Sequence, residues 1–115
     1  METMETIILK NLIQNEDYTR RVVPFLDEEY FKDRNERIVY TIIRDHIHKY
    51  NRSPNRDALI IALDDRGGMT EQSYKDTSII IKSITDTVDP VDNEWLMDQT
   101  EKFCKDKSVY NAILR

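Results

Sequence analysis

Apolar positions recur at helical spacing along almost the whole chain. Ile8, Leu9, Leu12 and Ile13 share one side of a first helix that starts near Thr3 or Thr6 and runs to Asn15. A short second helix covers Glu16 to Val23 with Tyr18 and Val22 inward, and it stops because Pro24 biases Val23 away from helical geometry. Phe25 and Leu26 are expected to fasten the connector to the core. After the acidic trio Asp27 to Glu29, the aromatics Tyr30 and Phe31 read as an anchor ahead of a third helix, Arg34 to Tyr50. Its stripe is Ile38, Val39, Ile42, Ile43, Ile47 and Tyr50.

Punctuation divides the rest. Asn51-Arg52-Ser53-Pro54 breaks the third helix. Asn55 then suits an N-cap, since its side chain can accept from the free amides of the next turn, and the fourth helix to Asp65 buries Leu59, Ile60, Ala62 and Leu63. Gly67-Gly68 ends it with residues that tolerate positive φ. Thr70 caps a fifth helix through about Thr85, with Tyr74, Thr77, Ile80, Ile81 and Ile84 inward. The β-branched run Ile79-Ile80-Ile81 invites a strand, but its flanks keep the 3.6-residue rhythm. Asp89-Pro90 breaks the chain again, and Asp92 caps a last helix with the stripe Trp95 or Leu96, Gln99, Phe103, Tyr110 and Leu114. That stripe still runs at Arg115 without a terminating Gly, Asn or Pro, so the chain reads as cut within a longer helix. The expected fold is all-α: one domain over residues 1–115, with a bundle of about six helices at about 4–88 and an extension helix at about 91–115.

Composition agrees. A length of 115 residues suffices for one core, and 2 Gly with 3 Pro leave little turn material for many short strands. The lone Cys104 has no internal disulfide partner, and no N-terminal stretch has the build of a secretory signal, which points to a reducing, cytoplasmic setting. The apolar runs are short pieces such as Ile79 to Ile81, far below the roughly 20 residues of a bilayer span. Met1-Glu2-Thr3 is repeated as Met4-Glu5-Thr6, an alternative start or expression artefact that carries no functional weight.

The net charge of −5 opposes a dedicated nucleic-acid binder, because phosphate neutralisation supplies most non-specific affinity. The charge is uneven, however. Residues 32–56 hold seven cations (Lys32, Arg34, Arg37, Arg44, Lys49, Arg52, Arg56) against three anions (Asp33, Glu36, Asp45), net +4, which leaves −9 elsewhere. A weak DNA contact through Lys49, Arg52 and Arg56 competes with a plainer reading, a solvated helix face balanced by acidic neighbours.

No catalytic constellation emerges. A phosphate-cradling loop needs a Gly-rich turn followed by Lys and Ser or Thr, whereas here Gly68 precedes Met69. His46 and His48 lie roughly 200° apart around a helix and do not chelate one metal. Nothing near Cys104 resembles an activated thiol, and Phe103 beside it suggests packing. Carboxylate pairs such as Asp64-Asp65 and Glu28-Glu29 fall at helix ends or in connectors. No catalytic, metal or cofactor site is expected.

As an ordered string of features, the chain resembles the N-terminal domain of DnaB-type hexameric replicative DNA helicases, in particular those of T-even-like bacteriophages. The resemblance lies in residues 5–13 (Glu5 to Ile13), Glu29-Tyr30-Phe31 with Ile38, Ser53-Pro54 followed by Ala58-Leu59 and Ala62-Leu63, and Glu94-Trp95-Leu96 with Thr100-Glu101-Lys102. It implies a compact helical bundle followed by a hairpin through which subunits pair into a collar above the motor ring. It also implies, as partners, the other subunits of the ring, the primase and the helicase loader, in the host bacterial cytoplasm. The ATPase domain of that family is absent from this stretch. An apolar edge of Phe103, Tyr110, Ile113 and Leu114 fits the resemblance as a self-association or partner surface. The alternatives are a small stand-alone helical nucleic-acid-binding module and an adaptor of a host factor.

Overall fold

The computed structural model describes residues 2–86 and 91–114. Their regular elements are six helices, α1 (Met4–Gln14), α2 (Glu16–Val22), α3 (Arg34–Tyr50), α4 (Arg56–Arg66), α5 (Glu71–Asp86) and α6 (Asn93–Leu114), with 3-10 turns at Val23–Phe25 and Glu28–Tyr30. No strand occurs among the described residues, and Ile79-Ile80-Ile81 lies within α5. The break expected at Asp89-Pro90 lies outside the described residues.

The helix starts are fixed by short polar side chains that accept from otherwise unpaired amides. Thr3 Oγ1 accepts from Thr6 N at 3.2 Å, Asn15 Oδ1 from Tyr18 N at 3.2 Å and Asn55 Oδ1 from Ala58 N at 2.8 Å. Thr70 Oγ1 accepts from Ser73 N at 3.0 Å and Asp92 Oδ1 from Glu94 N at 3.2 Å. The first threonine of the duplicated opening is therefore the α1 cap. Stops are equally local. Asn51 adopts a left-handed conformation at φ 58°, and Gly67 (φ 65°, ψ −179°) occupies a region that side chains with a Cβ rarely enter.

Helix α3 is the central element, packed by α1, α4 and α5 and by the turn at Glu28–Tyr30. It buries Ile38, Val39, Tyr40, Ile42 and Ile43, more of its circumference than a one-sided stripe would, as a helix enclosed by neighbours must. Tyr40 is the residue the stripe omitted. Its ring stacks on that of Phe31 at 4.8 Å, and both are fully buried. Tyr50, assigned inward by spacing, is exposed, because it lies in the last turn of α3 with its ring against His46 at 4.7 Å.

Leu26 is buried, whereas Phe25, expected to help it fasten the connector, is 71% exposed. Neighbouring positions leaving a 3-10 turn point to different sides, so only one of the two reaches the core. Polar ties join helices distant in sequence. Ser53 Oγ donates to the Leu12 carbonyl at 2.6 Å, Gln14 Nε2 to the Ile84 carbonyl at 3.0 Å, and the buried hydroxyls of Tyr18 and Thr100 lie 2.7 Å apart. With Pro54 buried beside Ser53, the α3–α4 break is stitched to the end of α1.

Candidate assembly surface and basic segment

Helix α6 divides into a packed half and a projecting half. Leu96, Thr100 and Phe103, spaced four and three apart, form one buried stripe. Trp95, the alternative to Leu96, is on the outer side. Phe103 sits edge-on to Tyr30 at 6.5 Å and tilted on Phe31 at 6.1 Å, with the Lys107 ammonium 5.6 Å above its ring. It thus belongs to the core rather than to the apolar edge where it was expected, because the Tyr30-Phe31 anchor reaches it first.

Beyond Lys107 the stripe meets no further partner among the described residues. Val109, Tyr110 and Ile113 are 62%, 56% and 75% exposed. Positions 109 and 113 are one helical turn apart, as are 110 and 113, so the three side chains form a continuous patch. Two of the four residues singled out from the sequence, Tyr110 and Ile113, come together here. The side chain of Leu114 lies outside the described residues. Val109 was missed, although its spacing of four from Ile113 carries the signal.

The basic segment is not one surface. Arg56 is engaged: Nε donates to Thr85 Oγ1 at 2.8 Å, and the guanidinium forms an ion pair with Asp86. It therefore links α4 to α5. Lys49 is exposed with its ammonium 5.3 Å from the Tyr50 ring, and Arg52 is exposed in the break, where it shares a shallow cleft with Arg20 and His48. Burial, followed by the nearby Arg52 charge, lowers the pKa of His46.

The chemistry of the other polar groups is that of packing. No cluster of three or more His, Cys, Asp or Glu able to hold a metal exists among the described residues. Burial raises the Cys104 thiol pKa, the opposite of nucleophile activation. It likewise raises Tyr18, against a smaller lowering by the Thr100 hydrogen bond, and it pushes Tyr40 to about 12 while Arg44 opposes. Glu36 is the outlier among carboxylates. Burial first, then Asp33 and Glu5, raise its pKa to about 7, and its Oε2 is buried without a hydrogen-bond partner among the described residues. None of the described helices is long and apolar enough to cross a membrane.

No family model matches the chain. It is 32% identical over 109 residues to a DnaB-like replicative helicase of Enterobacteria phage T4, an alignment that covers 95% of this chain and 22% of that protein. The chain thus spans about a fifth of the length of the curated relative it matches. Together, the helical architecture and this identity bear out the resemblance read from the sequence: along nearly its whole length, the chain is related to part of a phage DnaB-like replicative helicase.

Proposed function

We propose that this chain is the N-terminal collar domain of a phage replicative DNA helicase, a non-catalytic unit that helps subunits assemble and docks the primase and the helicase loader in the host cytoplasm. The observation that carries the reading is the patch of Val109, Tyr110 and Ile113 on a helix that leaves a completed core. Apolar surface of this kind at the end of an amphipathic helix favours another helix as its cover. The 22% coverage of the T4 relative supports a domain role and leaves the motor to other parts of such a protein.

Two measurements test it. In sedimentation, the 115-residue chain is a monomer or weak dimer, while a version extended through the following helix self-associates more tightly. A tight hexamer of the shorter chain would contradict the assignment of the assembly surface. In pull-downs, the cognate primase is retained by the extended chain, and retention by the shorter one assigns docking to the bundle. Capture by neither removes the docking role.

Weak DNA contact through Lys49 and Arg52 is a subsidiary part of this reading, supported by their exposure, whereas Arg56 is occupied by Asp86. Such contact weakens steeply with salt. No binding at low salt eliminates it.

A further inference from the structure

A cleft of about 560 Å³ opens between the start of α3 and the end of α4, on a surface the assembly reading does not use. Arg34 and Arg37 line it from α3, Arg66 from the last position of α4, and the Gly67-Gly68 turn forms its rim. A Cβ at either glycine would meet nothing within 4 Å, so the turn leaves the rim open.

The charge pattern is informative because acids outnumber cations in this chain, 22 to 17. Exposed cations elsewhere either pair with a carboxylate one turn away, as in Arg20–Glu16, Lys75–Glu71 and Lys105–Glu101, or, like Lys49 and Arg52, have no ion-pair partner among the described residues without being gathered in threes in a concave site. The side chains of Arg34 and Arg66 have no hydrogen bond or ion pair among the described residues. Arg37 is held in place by donating Nε and Nη2 to the Phe31 carbonyl, each at 3.2 Å, and likewise has no carboxylate. The one acid of the lining, Glu28, is engaged by the Thr41 hydroxyl at 3.3 Å and by Arg44 at 3.7 Å. Three guanidiniums therefore share a concave site whose single lining carboxylate, Glu28, is paired with Arg44 rather than with any of them.

We infer that this cleft binds an acidic segment of a partner protein, its carboxylates taken by Arg34, Arg37 and Arg66 and an apolar side chain resting beside the half-buried Met69. Guanidinium forks match carboxylates in paired hydrogen bonds. No aromatic ring lines the cleft, so a nucleic acid would find no stacking platform. Asp33, Asp64 and Asp65 are sequence neighbours of the arginines and lie outside the lining, so their repulsion weighs more heavily on a long polyanion than on a short acidic stretch.

The probe is a fluorescently labelled short peptide of Asp, Glu and a single Leu, titrated into the chain at low salt. Anisotropy is read alongside amide chemical shifts. Binding is expected to move the Gly67 and Gly68 amides, and the double variant Arg34→Glu, Arg66→Glu is expected to weaken it roughly tenfold or more. Lys102→Glu, the same charge reversal on the exposed side of α6, leaves the affinity unchanged. Thermal melts verify that the variants fold. Three outcomes overturn the inference: no shift at the two glycines, equal binding of a peptide with Gln and Asn in place of the acids, or preference of the cleft for a single-stranded oligonucleotide. None depends on the primase pull-down, so this inference and the collar reading fail separately.

Discussion

Replacing Glu36 by Gln should stabilise the protein, and by an amount that depends on pH. Glu36 lies in the first turn of α3, where the helix dipole favours an anion, yet burial together with Asp33 and Glu5 outweighs that and holds its proton to about pH 7 instead of the ordinary 4.5. The unfolded chain releases this proton near pH 4.5. Between the two values the folded state binds more protons, so stability is complete below the unfolded value, declines as pH rises and is lowest above about 7. The displacement corresponds to an upper bound of about 3 kcal/mol at 1.36 kcal/mol per pH unit. Partial solvent access screens the charge, which reduces the expected gain of Glu36→Gln to about 1–2 kcal/mol near pH 8, falling towards zero near pH 4.5. Urea unfolding followed by circular dichroism, with variant and parent compared across that range, measures the difference directly. If the two stability curves run parallel from about pH 4.5 to about pH 8, the half-buried carboxyl with its unpartnered Oε2 has been misread.

Other substitutions probe separate features. Gly67→Ala adds no clash, since a Cβ there meets nothing within 4 Å, but it forces a φ of +65° and should cost about 1–3 kcal/mol in thermal unfolding. Asn55→Ala removes the 2.8 Å acceptor for Ala58 N and should cost about 0.5–2 kcal/mol, with the loss localised to α4 in amide exchange. Leu59→Ala, at a fully buried position, should cost about 2–5 kcal/mol in urea unfolding. The pair Tyr110→Ser, Ile113→Ser should change stability by less than about 0.5 kcal/mol while reducing self-association of the extended chain in sedimentation, because both side chains face solvent in the monomer.

Elements with local causes were legible in the sequence. Thr3, Asn55, Thr70 and Asp92 announce helix starts because capping depends only on residues two or three positions away, and Gly67-Gly68 announces a stop for the same reason. Burial that depends on tertiary neighbours was not. Tyr40 falls off the one-sided stripe and becomes core only because Phe31 arrives from the preceding turn, while Phe25 and Tyr50 have the right character and stay exposed, Tyr50 with only its helix neighbours His46 and Lys49 against its ring. The same limit applies to the candidate surfaces. Spacing identified Tyr110 and Ile113, but not that Phe103 is covered by Tyr30 and Phe31 or that Arg56 is taken by Asp86, since both partners are remote in sequence. The arginine cleft was legible only in part: Arg34 and Arg37 stood out within the basic segment, but Arg66 joins them from two helices' worth of chain away.

The 22 residues of α6, Asn93–Leu114, run without a break through the aromatic contact at Phe103 to the exposed tip. At 1.5 Å per residue that is a rod of about 33 Å with no Pro or Gly at which to bend. Whatever grips the tip therefore inherits the orientation of the body it grows from. In a ring joined through such tips, the spacing and tilt of the members would be dictated by helix length and by the seating of one phenylalanine, and loosening that seat would misalign contacts several turns away without touching them.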